Sequence, residues 1–386
     1  MSSKRRQCLF KSMYSRCFRL LSQDACSLLA MNYVAAQGFL PASPFPGGPP
    51  PQVKLATPSD ERGTKAFEAA GPASSHTAQP AAAESKHIND WLMRIHEASR
   101  KLSYVGTFVV QSGGAMSSAK IWRVCEGGQQ LERVETLTGA PRSIFRHNDQ
   151  VVTFLPDHKV VRSEKRESLG IFPELLQSTD SRIADFYRVR PEGVGRVAGL
   201  EADIVVLVPK DKLRFGYRVW TEQKNGLVVK LQTLDTDGKV LEQAAFSELQ
   251  LDTPVKKDKL VQMMAKVDGY RVEKPVLVKT TASDEGWVMK APVAGFKSMS
   301  CYKRPARATN AAIGEEPLQW IFSDGLASVS IFVEPFDRQR HDKESSLSLG
   351  ATQTMTKKVE AYWVTVMGEV PMPTLRLFAD GLEREK

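Results

Sequence analysis

Side chains able to do chemistry are scattered along this chain. Its six histidines are His76, His87, His96, His147, His158 and His341, and the pair His96-Glu97 lacks the second histidine that a zinc-binding helix needs. Three of five cysteines (Cys8, Cys17, Cys26) crowd the first 26 residues, and no Cys-x-x-Cys occurs. Cys125 and Cys301 remain for the body, one in each of two units, which leaves a bridge between them open. Gly193-Val194-Gly195-Arg196-Val197-Ala198 fits a relaxed dinucleotide fingerprint. It runs toward a strand at Ala202 instead of opening a helix after one, so it is rejected. Asp235-Thr236-Asp237-Gly238 begins like a calcium loop, but Lys239 follows and no bidentate glutamate stands at the required offset. It reads as a hairpin turn. No nucleophile elbow and no phosphate-binding loop are present. The expectation is a protein that binds, with no catalytic residues, no metal and no cofactor.

Charge narrows the partners. Of the 386 residues, 53 are Lys or Arg and 44 are Asp or Glu. The first 30 residues hold six basic residues against Asp24 alone, so the remainder is nearly balanced at 47 against 43. Basic runs interleaved with aromatics are absent, which argues against nucleic acid.

Residues 1–40 read as a leader. A basic stretch (Lys4 to Arg19) precedes patchy apolar sequence (Leu28 to Ala36), and Val34-Ala35-Ala36 offers small residues for cleavage before Gln37. Export to the periplasm is expected; the plainer alternative is a disordered N-terminus. Residues 41–85 hold nine prolines and four glycines. They read as a solvated tether that buries too little to offset its ordering entropy.

The body must supply the binding surface. Ile88, Trp91, Leu92, Ile95, Ala98 and Leu102 recur at helical spacing, with Ser85 as an expected N-cap. Strand patterns then crowd together: 104–111, 119–124, 151–155, 159–162, 202–208, 217–221, 227–234 and 239–251. Residues 168–187 read as helical pieces (Ile171, Leu175, Leu176, Ile183, Phe186, Tyr187). The first unit is therefore expected over 86–252 as an antiparallel meander. Such a sheet curls, and a curled sheet under helices either encloses an apolar trough or is filled by its helices. A connector is expected over 253–285, charged at Lys256, Lys257 and Lys259. A smaller strand-rich unit follows over 286–386, with a hairpin around Asp324-Gly325, a strand at 362–367 and a closing helix over 371–382.

The body also resembles the RseB/MucB family. Gly139-Ala140-Pro141-Arg142-Ser143-Ile144-Phe145-Arg146 before Phe154-Leu155-Pro156 carries the likeness, as does Tyr217-Arg218-Val219-Trp220 through Leu227-Val228-Val229-Lys230 to Leu241-Glu242-Gln243. So do Phe322-Ser323-Asp324-Gly325-Leu326 and Gly368-Glu369-Val370-Pro371. The family comprises periplasmic negative regulators of sigma-E (AlgU-type) envelope-stress responses. The resemblance implies an α+β fold, with a LolA/LolB-like half-barrel under covering helices and a smaller C-terminal domain that binds an anti-sigma factor. It implies binding to the periplasmic region of an RseA/MucA-type anti-sigma factor, shielding it from proteolysis. It further implies lipid or lipopolysaccharide as the release signal, and it allows a homodimer. Phe108, Val110, Trp122, Phe154, Trp220, Leu231 and Phe246 are the candidate cavity wall. Arg142, Ser323, Asp324, Gly325 and Leu326 are the candidate partner contacts. For each, an ordinary core or turn role is the competing reading. A lipid or lipoprotein carrier is the alternative function.

Overall fold

The computed structural model describes residues 80–165, 183–251, 253, 255–275, 277–303, 317–341 and 343–385. The expected leader, nearly all of the tether and the pieces at Ile171, Leu175 and Leu176 lie outside the described residues.

Helix α1 (Pro80–Lys101) begins five residues before Ser85, so Ser85 is interior and not a cap. Proline suits a first helical position and Ala81 to Ala83 are strong helix formers. Ile88, Leu92 and Ile95 form its buried face. Eleven strands follow: β1 (Tyr104–Ser112), β2 (Ala115–Glu126), β3 (Gln129–Thr136), β4 (Ser143–His147), β5 (Gln150–Leu155), β6 (Val160–Lys165), β7 (Tyr187–Val197), β8 (Leu200–Pro209), β9 (Gly216–Glu222), β10 (Val228–Leu234) and β11 (Val240–Leu251). A short α2 (Ile183–Phe186) precedes β7. Tyr187, expected to be helical, opens that strand. β7 escaped the sequence pattern because Pro191 and two glycines interrupt its alternation; the pairing with β8 absorbs them in a bulge between Pro191 and Gly193.

The first sheet is two meanders joined where β1 pairs antiparallel with β11. Ile88, Leu92 and Ile95 of α1 pack on Tyr187, Leu207, Tyr217, Val219 and Leu231. Arg123 of β2 anchors the end of α1 through the Ser99 carbonyl and pairs with Glu132 at 2.7 Å, both side chains buried. A second layer forms where α3 (Lys257–Ala265) lays Leu260 and Met264 on Phe145, Val152 and Phe154.

The stretch expected as a connector feeds both sheets. β12 (Arg271–Glu273) adds parallel to β6, and β13 (Val278–Thr280) pairs with β15 (Lys297–Lys303). The second sheet runs β13-β15-β16-β17-β20-β19-β18, with β16 (Leu318–Ser323), β17 (Ser328–Pro335), β18 (Ser345–Leu349), β19 (Thr352–Val359) and β20 (Tyr362–Gly368). Helix α4 (Met372–Gly381) covers it through Leu375, Phe378 and Ala379, where the closing helix was expected. β14 (Trp287–Met289) and β21 (Leu382–Arg384) form a separate ribbon. The molecule is a mostly-β α+β protein of two domains.

Gly106 shows how tightly the first core closes. A Cβ there would stand 2.7 Å from the Phe246 ring, which lies edge-on to Tyr104 and Phe108 at centroid distances of 5.9 and 6.2 Å. Gly106→Ala therefore overpacks this aromatic trio. It should lower stability by about 1–3 kcal/mol in urea unfolding; an unchanged midpoint would mean the ring has room to move.

Candidate functional site: the junction of the two domains

The segment between β8 and β9 carries Lys210-Asp211-Lys212-Leu213-Arg214-Phe215. Arg214 lies at its end with 0% of its surface exposed. A guanidinium cannot shed its charge, so burial must be offset by partners. Its Nη1 stands 3.5 Å from Asp324 Oδ2, and its Nε 3.3 Å from Asp211 Oδ1. Nη2 donates to the Ala294 carbonyl at 2.8 Å. The guanidinium carbon lies 4.4 Å from the Phe186 ring centre and 5.3 Å from that of Phe296, a cation–π enclosure. Asp211 and Phe186 belong to the first domain; Asp324, Ala294 and Phe296 belong to the second.

The second domain prepares Asp324 by a self-capped turn. Gly325 takes φ +105°, as its position in the turn demands. Asp324 Oδ1 accepts the N–H of Leu326 at 2.9 Å and of Ala327 at 2.7 Å, while Ser323 Oγ donates to the Ala327 carbonyl. Oδ2 is thereby left facing the first domain, where it also receives Tyr187 Oη at 3.4 Å. Burial pushes the Asp324 carboxyl above its ordinary range, with Arg214 and the two turn N–H groups pulling the other way. Burial and the Asp324 charge raise Tyr187, so its phenol stays a donor.

Apolar residues are exchanged across the same junction. Leu326 packs on the core under α1, Leu213 packs on the core of the second domain, and Thr374 Oγ1 at the start of α4 donates to the Leu213 carbonyl at 2.8 Å. A second contact lies at the far end of β1. Ser112 Oγ donates to Glu242 Oε2 at 2.7 Å, and the Ala351 N–H reaches the same carboxyl. The Gly350-Ala351 turn sits so close that a Cβ on Gly350 (φ +57°) would fall 2.0 Å from Ser112 Oγ. Burial pushes the Glu242 carboxyl up to about 7.

The residues expected to line one cavity lie around three centres. Phe108, Val110 and Phe246 are in the core between β1, β2 and β11, with Trp220 packed against it. Leu231 lies beneath α1, and Phe154 and Trp122 lie by α3. Arg142 is buried at the β3–β4 turn, where its backbone pairs with Thr136. Ser323, Asp324 and Gly325 are buried and Leu326 half-buried at the domain junction, so their contacts here are to the chain itself. Sequence reasoning singled out the Asp324 turn but missed Arg214, Tyr187 and Gly350. Nothing local marks them, since their role is defined only by what the other domain brings. Cys125 and Cys301 are both free, and burial with the nearby Glu285 pushes the Cys301 thiol up to about 12.

Comparison with known proteins decides the kinship. Residues 87–264 match the MucB/RseB N-terminal domain and residues 281–383 the MucB/RseB C-terminal domain. The chain belongs to the MucB/RseB family. MucB/RseB proteins are regulators, not enzymes. The sigma factor AlgU regulatory protein MucB of Pseudomonas aeruginosa is 28% identical over 317 residues, covering 79% of this chain and 93% of that protein. The sigma-E factor regulatory protein RseB of Escherichia coli is 21% identical, covering 76% and 89%. Two solved structures of MucB bound to MucA superpose with TM-scores of 0.58 and 0.60 at 27% and 26% identity, covering 77% and 78% of this chain and 98% and 99% of theirs.

Removing Arg214 strands Asp324 without a counter-charge. Arg214→Met should cost about 3–5 kcal/mol, and adding Asp324→Asn should restore much of it; equal loss in single and double variants would mean the two do not act as a pair. Glu242 binds its proton more tightly folded (about 7) than unfolded (4.5). Its contribution is therefore most favourable below the unfolded value and is lost as pH rises through about 7. Thermal unfolding from pH 5 to 8 should show this decline, and Glu242→Gln should flatten it.

Proposed function

We propose that this chain is a periplasmic negative regulator of a sigma-E (AlgU-type) response. It occupies the periplasmic region of a MucA-type anti-sigma factor and shields it from regulated proteolysis. The observation that carries this reading is that both family domains match, in order, over residues 87–264 and 281–383, and that the chain superposes over 78% of its length on a MucB seen with MucA. Shielding needs no reactive group. A strand-rich surface can hold an extended segment by edge pairing or in a groove. Among the described residues no helix is long and apolar enough to cross a membrane.

The finer reading makes the first domain a LolA/LolB-like half-barrel whose lipid or lipopolysaccharide ligand releases the partner. Two tryptophans support it. Trp122 is faced by Lys120 at 5.4 Å and Arg133 at 4.7 Å, and Trp220 by Lys230 at 4.5 Å. An aromatic plane beside a cation suits an amphiphile with an apolar stem and an anionic head. Release follows if the ligand favours a state that binds the partner poorly.

A cleavage assay tests both parts. Saturating full-length chain should slow degradation of the MucA periplasmic region by its first regulatory protease at least tenfold, and lipopolysaccharide should restore the rate. An unchanged rate rejects the regulator. Slowing that lipopolysaccharide leaves intact rejects only the lipid signal.

A further inference from the structure

Sheet edges in this molecule are treated unequally. β7, the long edge of the first sheet, carries Arg188, Arg190, Pro191, Glu192 and Arg196 together with its bulge. Charge, proline and a bulge each hinder a further strand from adding. β12, β13, β14 and β21 have three residues each, too few to template one. β18 differs. It is the terminal strand of the second sheet, reads Ser345-Ser346-Leu347-Ser348-Leu349, and has neither charge, proline nor bulge. Ser345 to Ser348 are exposed, Leu347 to 41%.

We infer that the edge of β18 is where an extended segment of the protein partner adds as an eighth strand to the second sheet; this rests on the regulator reading above. The hairpin fixes which groups are offered. Leu349 pairs with Thr352 across the two-residue turn Gly350-Ala351. Ser345, Leu347 and Leu349 are therefore the positions bonded to β19, and the N–H and C=O groups of Ser346 and Ser348 point outward. Leu347 and Leu349 lie on one face of the strand, and Leu349 reaches Gly113 of the first domain, its Cδ1 3.1 Å from where a Cβ on that glycine would sit. The incoming segment is thus met by apolar side chains on one face and serines on the other. It should carry an apolar residue at alternate positions. The Gly350 turn resting on Ser112 and Glu242 holds this edge still, so its pairing groups are set before the partner arrives.

The occupant is a peptide and not a second copy because of area. Two copies joined through five-residue edges cover far less than the about 1,000 Å² that a lasting interface needs. An extended segment continues past both ends of β18 and gathers contact elsewhere on the chain.

The test uses the full chain and the periplasmic region of Pseudomonas aeruginosa MucA in a binding titration. Leu347→Lys puts a charge on the apolar face, and Ser346→Pro removes one outward N–H. Each should weaken binding at least tenfold, while Val194→Lys on β7 changes it by less than twofold. Hydrogen exchange on the unmodified chain reads the same contact, since the Ser346 and Ser348 amides should gain protection when MucA is added. Binding within twofold of wild type in both β18 variants, or no gain of protection, overturns the inference and leaves the regulator reading standing. A wild-type chain that binds no MucA removes both. A variant that turns a dimer into a monomer in sedimentation yet keeps full MucA binding assigns the edge to a second copy and overturns the proposal.

Discussion

A guanidinium with none of its surface in water organises this molecule. Arg214 belongs to the first domain by chain position, but two of its polar partners, Asp324 and the Ala294 carbonyl, come from the second. Charge that cannot be neutralised must be matched where it lies, so the two domains are held in one arrangement. Apolar burial alone is non-directional and would tolerate sliding. A planar cation between Phe186 and Phe296 with carboxylates on two sides tolerates much less. The Ser112–Glu242 pair under the Gly350 turn supplies a second point of attachment, and two separated points prevent rotation about either.

That arrangement gives a regulator what it needs. Protecting a protein segment by occupying it requires a surface whose parts keep their spacing, and a fixed domain junction supplies that. Trp122 and Trp220, faced by arginine and lysine, stand on the first domain, and the uncharged strand β18 stands at the edge of the second.

Much of the fold could be read beforehand, for identifiable reasons. Val329, Ile331 and Val333 recur at every second position among Ser328, Ser330 and Glu334, and the Asp324-Gly325 pair marks the turn before them, so β16 and β17 were visible. The face of α1 was visible in the spacing of Ile88, Leu92 and Ile95. β7 was hidden because its edge position allows the proline and glycines that interior strands exclude. The three-residue strands inside the expected connector were hidden because their patterns are too short to differ from chance. The site was least legible. Asp324 stood out as a turn residue, which it is, but its second role depends on an arginine 110 positions earlier. Of the seven residues expected to wall one cavity, five are buried and Trp122 and Trp220 are half-buried; what composition could not divide is a single sheet with separate packing centres against α1, α3 and its own strands.

The trading of Leu213 for Leu326 bears on how the polypeptide acquires its shape. Each half lends a side chain to the other's interior, and Thr374, in the last described helix, closes the loop that carries Leu213. A chain appearing amino end first must therefore keep its larger half incomplete, with an arginine still seeking its carboxylate, until nearly all of it has emerged. Anything that delays that final stretch leaves the rest exposed to premature degradation or clumping.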